Sequence, residues 1–104
     1  MKVYIAGKIT GESPIACGLK FGHAASALKI EGHTVLNPYL TFKPLAFNFT
    51  HEDIMHICFA AIDVCDAVYM LRDWPESKGA KMEHEYALNS GKQLIYQPPG
   101  NVKV

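Results

Sequence analysis

The sequence predicts a small α/β domain with one parallel sheet. Short apolar runs that suit buried strands alternate with longer segments whose apolar residues recur at helical spacing. Strands that alternate with helices form a parallel sheet through right-handed crossovers. The length of 104 residues suits one domain of this kind. The prediction is therefore a shortened, doubly wound Rossmann- or flavodoxin-like domain over residues 1–104, with about four to five strands in the order 2-1-3-4 and helices on both faces.

The first helix is well bounded in the sequence. Residues 3–6 form a short apolar run, which predicts a buried strand that ends at Gly7. Pro14 suits the first turn of the following helix, because its fixed backbone angle matches the helix and its missing N–H is not needed there. Gly32 is expected to cap the carboxyl end of this helix.

The middle of the chain supplies a second strand, an aromatic segment and a second helix. Residues 33–36 predict the strand. Residues 39–49 are aromatic and contain a proline, and they are expected to form a loop across an edge of the domain. Thr50 and Asp53 match the start of a capping box, which predicts a helix whose apolar stripe reaches Ile62.

The most informative pattern lies in the carboxyl-terminal part. Residues 67–71 and 93–96 predict strands on either side of a helix over residues 79–89. Glu83 shares the apolar face of this helix with Ala80, because residues three and four apart are neighbours on a helix. A carboxylate is costly to bury without a partner. Glu83 is therefore a candidate functional residue.

In a sheet with this strand order, a ligand crevice opens between the carboxyl ends of the first and third strands. Residues 7–11 and residues 72–78 are expected to meet there beside Glu83. Flat aromatic and cationic side chains in these loops suit a nucleobase and a phosphate, through stacking and charge. The ligand-binding residues predicted at this edge are Gly7, Lys8, Arg72, Trp74, Ser77, Lys78, Gly79 and Glu83.

Each candidate also has a structural interpretation. Glu83 is a nucleophile or base, an anchor for ligand hydroxyls, or a structural carboxylate paired with a cation. Trp74 either stacks on a ligand or covers the core, and residues 7–11 lack the spacing of a dinucleotide- or phosphate-binding loop. His51 and His56 do not have a metal-binding spacing, so no metal site is predicted.

Composition narrows the function classes. Ten basic and ten acidic side chains give no net charge, which argues against general nucleic-acid or membrane-surface binding. Three cysteines without a CxxC pair favour reduced, buried thiols in a cytoplasmic protein. A small core and exposed sheet edges favour a homo-oligomer, either a dimer or a tetramer. The apolar contact between subunits could come from Phe42, Phe47 and Phe49, or these side chains fold back on the core of their own chain.

A family resemblance is carried by four segments that are spread over nearly the whole chain, residues 3–9, 32–38, 65–68 and 74–87. In these segments the chain resembles the small, often phage-encoded branch of the nucleoside 2-deoxyribosyltransferase-like proteins. In the enzymes of that superfamily, the glutamate that matches Glu83 attacks the anomeric carbon of a deoxyribose, and a tyrosine that matches Tyr4 assists. The resemblance implies that Glu83 and Tyr4 are the catalytic residues if this protein is an enzyme.

Two positions depart from the pattern of the enzymes. Ser77 stands where they carry an aspartate, and Ile57 and Cys58 occupy the stretch of a second one. General acid–base assistance is worth ~100- to 10,000-fold, so without these acids the expected enzyme is feeble. The same branch includes anti-Thoeris phage proteins, which form homotetramers and hold a cyclic ADP-ribose signal without cleaving it.

The resemblance therefore implies a cytoplasmic protein of an infected or lysogenic bacterial host that sequesters a nucleotide signal of the cyclic ADP-ribose type. Lys8, Phe21, Trp74 and Lys78 would surround its base, ribose and phosphates, and no cofactor is expected. One alternative is a 2-deoxyribosyltransferase or nucleotide N-glycosidase with Glu83 as nucleophile. Another is an oligomeric structural protein whose crevice is vestigial.

Overall fold

The computed structural model describes residues 1–100, except for the side chains of residues 46 and 47. Within these residues, four parallel strands form one sheet in the order β2-β1-β3-β4, which confirms the predicted fold class and strand order. The strands are β1 (Lys2–Ala6), β2 (Thr34–Leu36), β3 (Ala67–Met70) and β4 (Gln93–Tyr96). The α-helices are α1 (Pro14–Ile30), α2 (Pro38–Phe42), α3 (His51–Asp63) and α4 (Lys78–Asn89).

The sheet has a hydrophobic core on each face, because successive strand residues point to opposite sides. Tyr4 and Ala6 of β1 face α3 and α4, where the core includes Cys58, Ile62 and Ala87. Val3 and Ile5 of β1 face α1. That second core contains Val3, Ile5, Phe21, Ala24, Ala25, Leu28, Ala67 and Leu71.

Residues 39–49 are not the predicted loop. They contain most of α2 and a 3₁₀ turn over Lys43–Phe47. Asn37 caps α2, since its side-chain oxygen accepts a hydrogen bond from the backbone N–H of Leu40 at 3.3 Å, and Pro38 is the first helical residue. Asn37-Pro38 therefore follows the end of β2 and also starts α2. The contact predicted for Phe47 lies outside the described side chains.

The other helix boundaries follow the sequence closely. Thr50 and Asp53 form the expected capping box at the start of α3. Gly32 follows α1 with a φ of 93°, a backbone conformation that favours glycine. Ser77 caps α4 by accepting a hydrogen bond from the backbone N–H of Ala80 at 3.1 Å. Among the described residues, no helix has the length and apolar character needed to cross a membrane.

Gly7 brings the chain that leaves β1 close to the end of β3. A Cβ atom at this position would lie 2.5 Å from Leu71 Cδ1 and 3.0 Å from Leu71 Cβ. Leu71 is fully buried and has no free space to move into. We expect Gly7→Ala to lower the free energy of unfolding by about 1–3 kcal/mol, as overpacking of a core does. The midpoint of urea-induced unfolding measures the change.

The matched control for this substitution is Gly22→Ala in α1. A Cβ atom at Gly22 meets no heavy atom within 4 Å. Alanine favours a helix interior over glycine by roughly 0.5–1 kcal/mol, so this variant should be slightly more stable than the wild type. Equal midpoints for the two variants would contradict the close approach of Gly7 to Leu71.

Candidate functional site

Glu83 points into the core from the inward face of α4. Its side chain is only 6% exposed, and it is the one buried charged residue among the described residues. The hydroxyl of Tyr4, which is fully buried on β1, donates a hydrogen bond to Glu83 Oε2. The pair forms because Tyr4 lies on the sheet face that α4 covers. The predicted inward position of Glu83 is thus confirmed, and its partner is a phenol.

Burial controls the protonation of three neighbouring side chains, those of Glu83, Tyr4 and Cys58. It raises the pKa of the Glu83 carboxyl to about 7, although hydrogen bonds from Tyr4 and Cys58 lower it in part. Burial, followed by the charge of Glu83, raises the pKa of the Tyr4 phenol well above its usual value. Burial also raises the pKa of the Cys58 thiol to about 12. At neutral pH, Tyr4 and Cys58 are therefore proton donors around a carboxyl group that is close to half-ionised.

A cavity of about 220 Å³ opens beside Glu83. Its floor consists of buried side chains, among them Tyr4, Cys58, Ala80 and Glu83. Its volume is below the ~300–1,000 Å³ of pockets that hold drug-sized ligands. A base or a sugar would fill it, and the rest of a larger ligand would lie at its mouth. The walls and rim are formed by Ile5, Gly7, Ile9, Thr10, Phe21, Pro38, Tyr39, Phe42, Lys43, His51, Ile54, Met55, Ser77 and Gly79.

The structure divides the predicted site residues into two groups. Gly7, Phe21, Ser77, Gly79 and Glu83 line the cavity together with Tyr4. The other predicted ligand-binding residues are absent from its described lining, so the sequence-based expectation that Trp74 and Glu83 border one cavity is wrong. These residues are Lys8, Arg72, Trp74 and Lys78.

Trp74 faces away because of the turn that carries it. Residues Trp74–Glu76 form a 3₁₀ turn, and the indole stacks on the His84 ring with a centroid distance of 4.2 Å and an interplanar angle of 13°. His84 is one residue after Glu83, which places it about 100° around the helix. His84 Nε2 and the hydroxyl of Tyr96 are 2.7 Å apart. Trp74 also packs against the core that contains Tyr4 and Ala87, in agreement with the interpretation that it covers the core.

The three predicted cations have other positions. Arg72 Nε donates a hydrogen bond to the carbonyl of Pro98 at 3.1 Å. Lys78 lines a neighbouring groove between α3 and α4, which shares His51 and Met55 with the cavity beside Glu83. The backbone N–H of Lys8 donates to Asp73 Oδ1 at 3.1 Å. None of the three residues is part of the described lining of the cavity, and their predicted ligand-binding roles stay predictions.

Lys20, which the sequence analysis did not single out, joins the two loops at this edge of the sheet. Its Nζ donates to Asp73 Oδ2 at 2.5 Å, to the carbonyl of Lys8 at 2.6 Å and to Glu12 Oε1 at 3.3 Å. The loop after β1 is thereby tied to the loop after β3. No local sequence signal marks this role, because Asp73 is 53 residues away from Lys20.

The fold and the site define a small Rossmann-like α/β domain with a buried tyrosine–glutamate pair on the floor of a cavity. Among the described residues, no group of three or more His, Cys, Asp or Glu side chains is arranged to hold a metal ion. The model of the family described as Domain of unknown function (DUF4406) matches residues 1–96, and the chain belongs to this family. No curated protein and no solved structure matches the chain.

Proposed function

We propose that the protein binds a nucleotide signal of the cyclic ADP-ribose type in the cavity beside Glu83 and sequesters it without cleaving it. The observation that carries the proposal is that Glu83 is the only carboxylate among the described residues that line the cavity. Glycoside hydrolysis of the usual kind uses a pair of carboxyl groups, one of which protonates the leaving group. A single carboxylate suits holding a ligand better than cleaving it.

The lining of the cavity suits a nucleoside. An ionised Glu83 would accept hydrogen bonds from ribose hydroxyls, and hydrogen bonds to a charged acceptor are about twice as strong as neutral ones. Tyr39 and Phe42 are half-buried and supply aromatic surface in the wall, on which a nucleobase could stack, whereas Phe21 is fully buried behind it. Apolar walls with a few polar groups to fix orientation are the usual design of a small-molecule site.

The cellular setting and the assembly state belong to the same proposal. The resemblance to anti-Thoeris phage proteins supports a cytoplasmic role in an infected or lysogenic bacterium, where removal of the signal would block an immune response. It also supports a dimer or tetramer. Phe49 is 45% exposed and remains available for such a contact, whereas Phe42 packs against the core of its own chain. Light scattering coupled to size-exclusion chromatography measures the assembly state.

The test is recovery of the ligand. The protein is mixed with a cyclic ADP-ribose isomer, separated from free ligand, heat-denatured and analysed by chromatography. We expect the intact ligand to be released from the wild type. The Glu83→Gln variant should retain much less ligand, and the control Glu85→Gln, which changes an exposed residue of the same helix, should retain as much as the wild type. Free base or opened sugar among the products would contradict sequestration.

A second candidate function is cleavage or transfer of a glycosidic bond, as in a 2-deoxyribosyltransferase or N-glycosidase. The hydrogen bond from Tyr4 to Glu83 at the cavity floor favours it, since this is the residue pair that the resemblance implies. The ionised Glu83 would form a bond to the anomeric carbon as the glycosidic bond breaks, and the base would leave with the bonding electrons and take a proton from water. Water or a second base would then displace Glu83 from the sugar. In that case, Glu83→Ala would abolish product formation, whereas in a sequestering protein it would only weaken binding.

A further inference from the structure

Two side chains at the mouth of the cavity, the ammonium group of Lys43 and the imidazole of His51, have no role in the function proposed so far. We infer that Lys43 and His51 form a phosphate-binding site there, so that the preferred ligand carries a phosphate group next to the sugar held by Glu83. This inference rests on the proposed function, because it takes the nucleoside part of the ligand to lie beside Glu83. It assigns phosphate recognition to residues other than Lys8, Arg72 and Lys78.

The burial of the lining residues locates the mouth. Tyr4 is fully buried and Glu83 is 6% exposed, so they form the closed end of the cavity. Lys43 and His51 line the same cavity and are exposed. A ligand that places a sugar at the closed end would therefore direct its remaining groups towards these two side chains.

Both side chains are free to bind an anion. Within the described residues, neither Lys43 nor His51 takes part in an ion pair. The Nζ atom of Lys43 lies 5.5 Å from the centroid of the Tyr39 ring, and this cation–π contact holds the ammonium group near the rim without neutralising it. By contrast, Lys20 is already paired with Asp73 and Glu12.

The carboxylates closest in sequence to His51 have other contacts. Asp53 accepts a hydrogen bond from the backbone N–H of Thr50 at 3.0 Å, as part of the capping box. Glu52 lies 3.9 Å from His56 and lines the neighbouring groove between α3 and α4, which His51 also lines. Neither Glu52 nor Asp53 is among the residues that line the cavity. The rim of the cavity therefore carries the Lys43 ammonium group and the His51 imidazole, while the only described carboxylate of the lining lies at the floor.

The start of α4 contributes to the same rim. Ser77 and Gly79 line the cavity, and the first N–H groups of a helix carry partial positive charge. A Cβ atom at Gly79 would lie 3.7 Å from His51 Cε1, which is an ordinary contact, so packing does not require glycine here. Glycine leaves the space between this helix end and His51 open. A phosphate in that space would meet backbone N–H groups on one side and cations on the other.

The recognised unit is thus a sugar phosphate, with hydroxyls at Glu83 and the phosphate at Lys43 and His51. This unit occurs in nucleoside monophosphates and in cyclic ADP-ribose alike. Calorimetric titrations at pH 7 and low salt measure the binding of the nucleoside and the phosphate separately and together. The probes are adenosine, AMP, inorganic phosphate and a cyclic ADP-ribose isomer. We expect the wild type to bind AMP at least ~10-fold more tightly than adenosine, as charge-assisted contacts to a phosphate imply.

The decisive variant combines Lys43→Gln with His51→Gln. It should lose the preference for AMP and keep the wild-type affinity for adenosine. The matched control combines Lys29→Gln with His23→Gln, which removes the same residue types from exposed positions of α1 outside the cavity lining and should leave the preference intact. Both pairs of substitutions are at exposed positions, so the fold is expected to be retained.

The outcomes separate the inference from the function on which it rests. Equal affinities of the wild type for AMP and adenosine, or an unchanged preference in the Lys43/His51 variant, would overturn the phosphate site and leave the proposed function standing. If inorganic phosphate bound as tightly as AMP, the mouth would be a simple anion site and the sugar-phosphate assignment would be wrong. If neither the nucleoside nor any of the nucleotides bound, both the inference and the proposed function would fail.

Discussion

Glu83→Gln should stabilise the folded protein at pH 8 by about 3 kcal/mol and leave its stability near pH 4.5 almost unchanged. The reason is that burial raises the pKa of the Glu83 carboxyl from 4.5 to about 7, at about 1.4 kcal/mol for each pH unit. Glutamine has nearly the same shape and can still accept the hydrogen bond of Tyr4, but it never becomes charged.

The sign of the effect follows from proton linkage. Between pH 4.5 and about 7, the folded protein keeps the proton on Glu83, whereas the unfolded chain has lost it. The stabilising contribution of Glu83 is therefore fully present below pH 4.5 and is lost as the pH rises through about 7. In the glutamine variant this loss does not occur, so the stability difference between the two proteins grows over the same pH range.

Urea-induced unfolding of both proteins at a series of pH values from 4.5 to 8 measures this difference. All other titratable groups are present in both proteins, so their contributions cancel in the comparison. The control Glu85→Gln changes a neighbouring exposed carboxylate and should show no pH-dependent difference from the wild type. A difference for Glu83→Gln that is constant with pH would mean that burial does not raise the pKa of this carboxyl.

A residue that destabilises its own fold at neutral pH points to a role other than stability. Glutamine or an apolar residue at position 83 would avoid the cost of burying a charge. The carboxyl group nevertheless lies at the closed end of a cavity, with hydrogen-bond donors arranged around it. Perturbed carboxyl groups in cavities are typical of binding and catalytic sites, where function opposes stability.

The sequence was sufficient for the fold because the relevant signals are local. Alternating strand and helix patterns predict a parallel sheet, and the crossover rule reduces its possible strand orders to a few, among them the doubly wound order 2-1-3-4. The capping box of Thr50 and Asp53 and the inward position of Glu83 also follow from fixed spacings along a helix. The helix that begins at Pro38 has a local signal as well, an asparagine cap followed by proline, which can equally be interpreted as a chain stop.

The site is harder to predict from the sequence than the fold, because loops have no periodicity that indicates where their side chains point. Trp74 was assigned to the crevice because of its loop, yet a short 3₁₀ turn directs its ring onto His84. Lys43 was overlooked because its segment was interpreted as an edge loop, although that segment forms part of the cavity wall. The contact between Tyr4 and Glu83 joins residues 79 positions apart and follows only from the packed sheet.

Tyr4→Phe should shift the pH dependence of nucleoside binding upward. If Glu83 accepts hydrogen bonds from ribose hydroxyls, adenosine affinity should rise with pH as the carboxyl ionises, with a midpoint near 7 in the wild type. The hydrogen bond from Tyr4 lowers the pKa of Glu83, so its removal moves the midpoint up. A hydrogen bond to a charged group is worth ~1.5–3 kcal/mol, which corresponds to a shift of roughly 1–2 pH units and a roughly 5- to 50-fold weaker affinity at pH 7.

Adenosine is the suitable probe, because without a phosphate its binding does not depend on the charges of Lys43 and His51. The control is Tyr39→Phe, which removes a phenol hydroxyl from the same cavity wall but one that donates to the carbonyl of Pro14 instead of Glu83. Its pH profile should coincide with that of the wild type, and the Tyr4→Phe variant should recover affinity above pH 9. Removing the Tyr4 hydroxyl must raise the pKa of Glu83 if its hydrogen bond stabilises the ionised carboxylate. A pH profile of Tyr4→Phe that coincides with the wild-type profile would therefore show that Tyr4 does not lower this pKa.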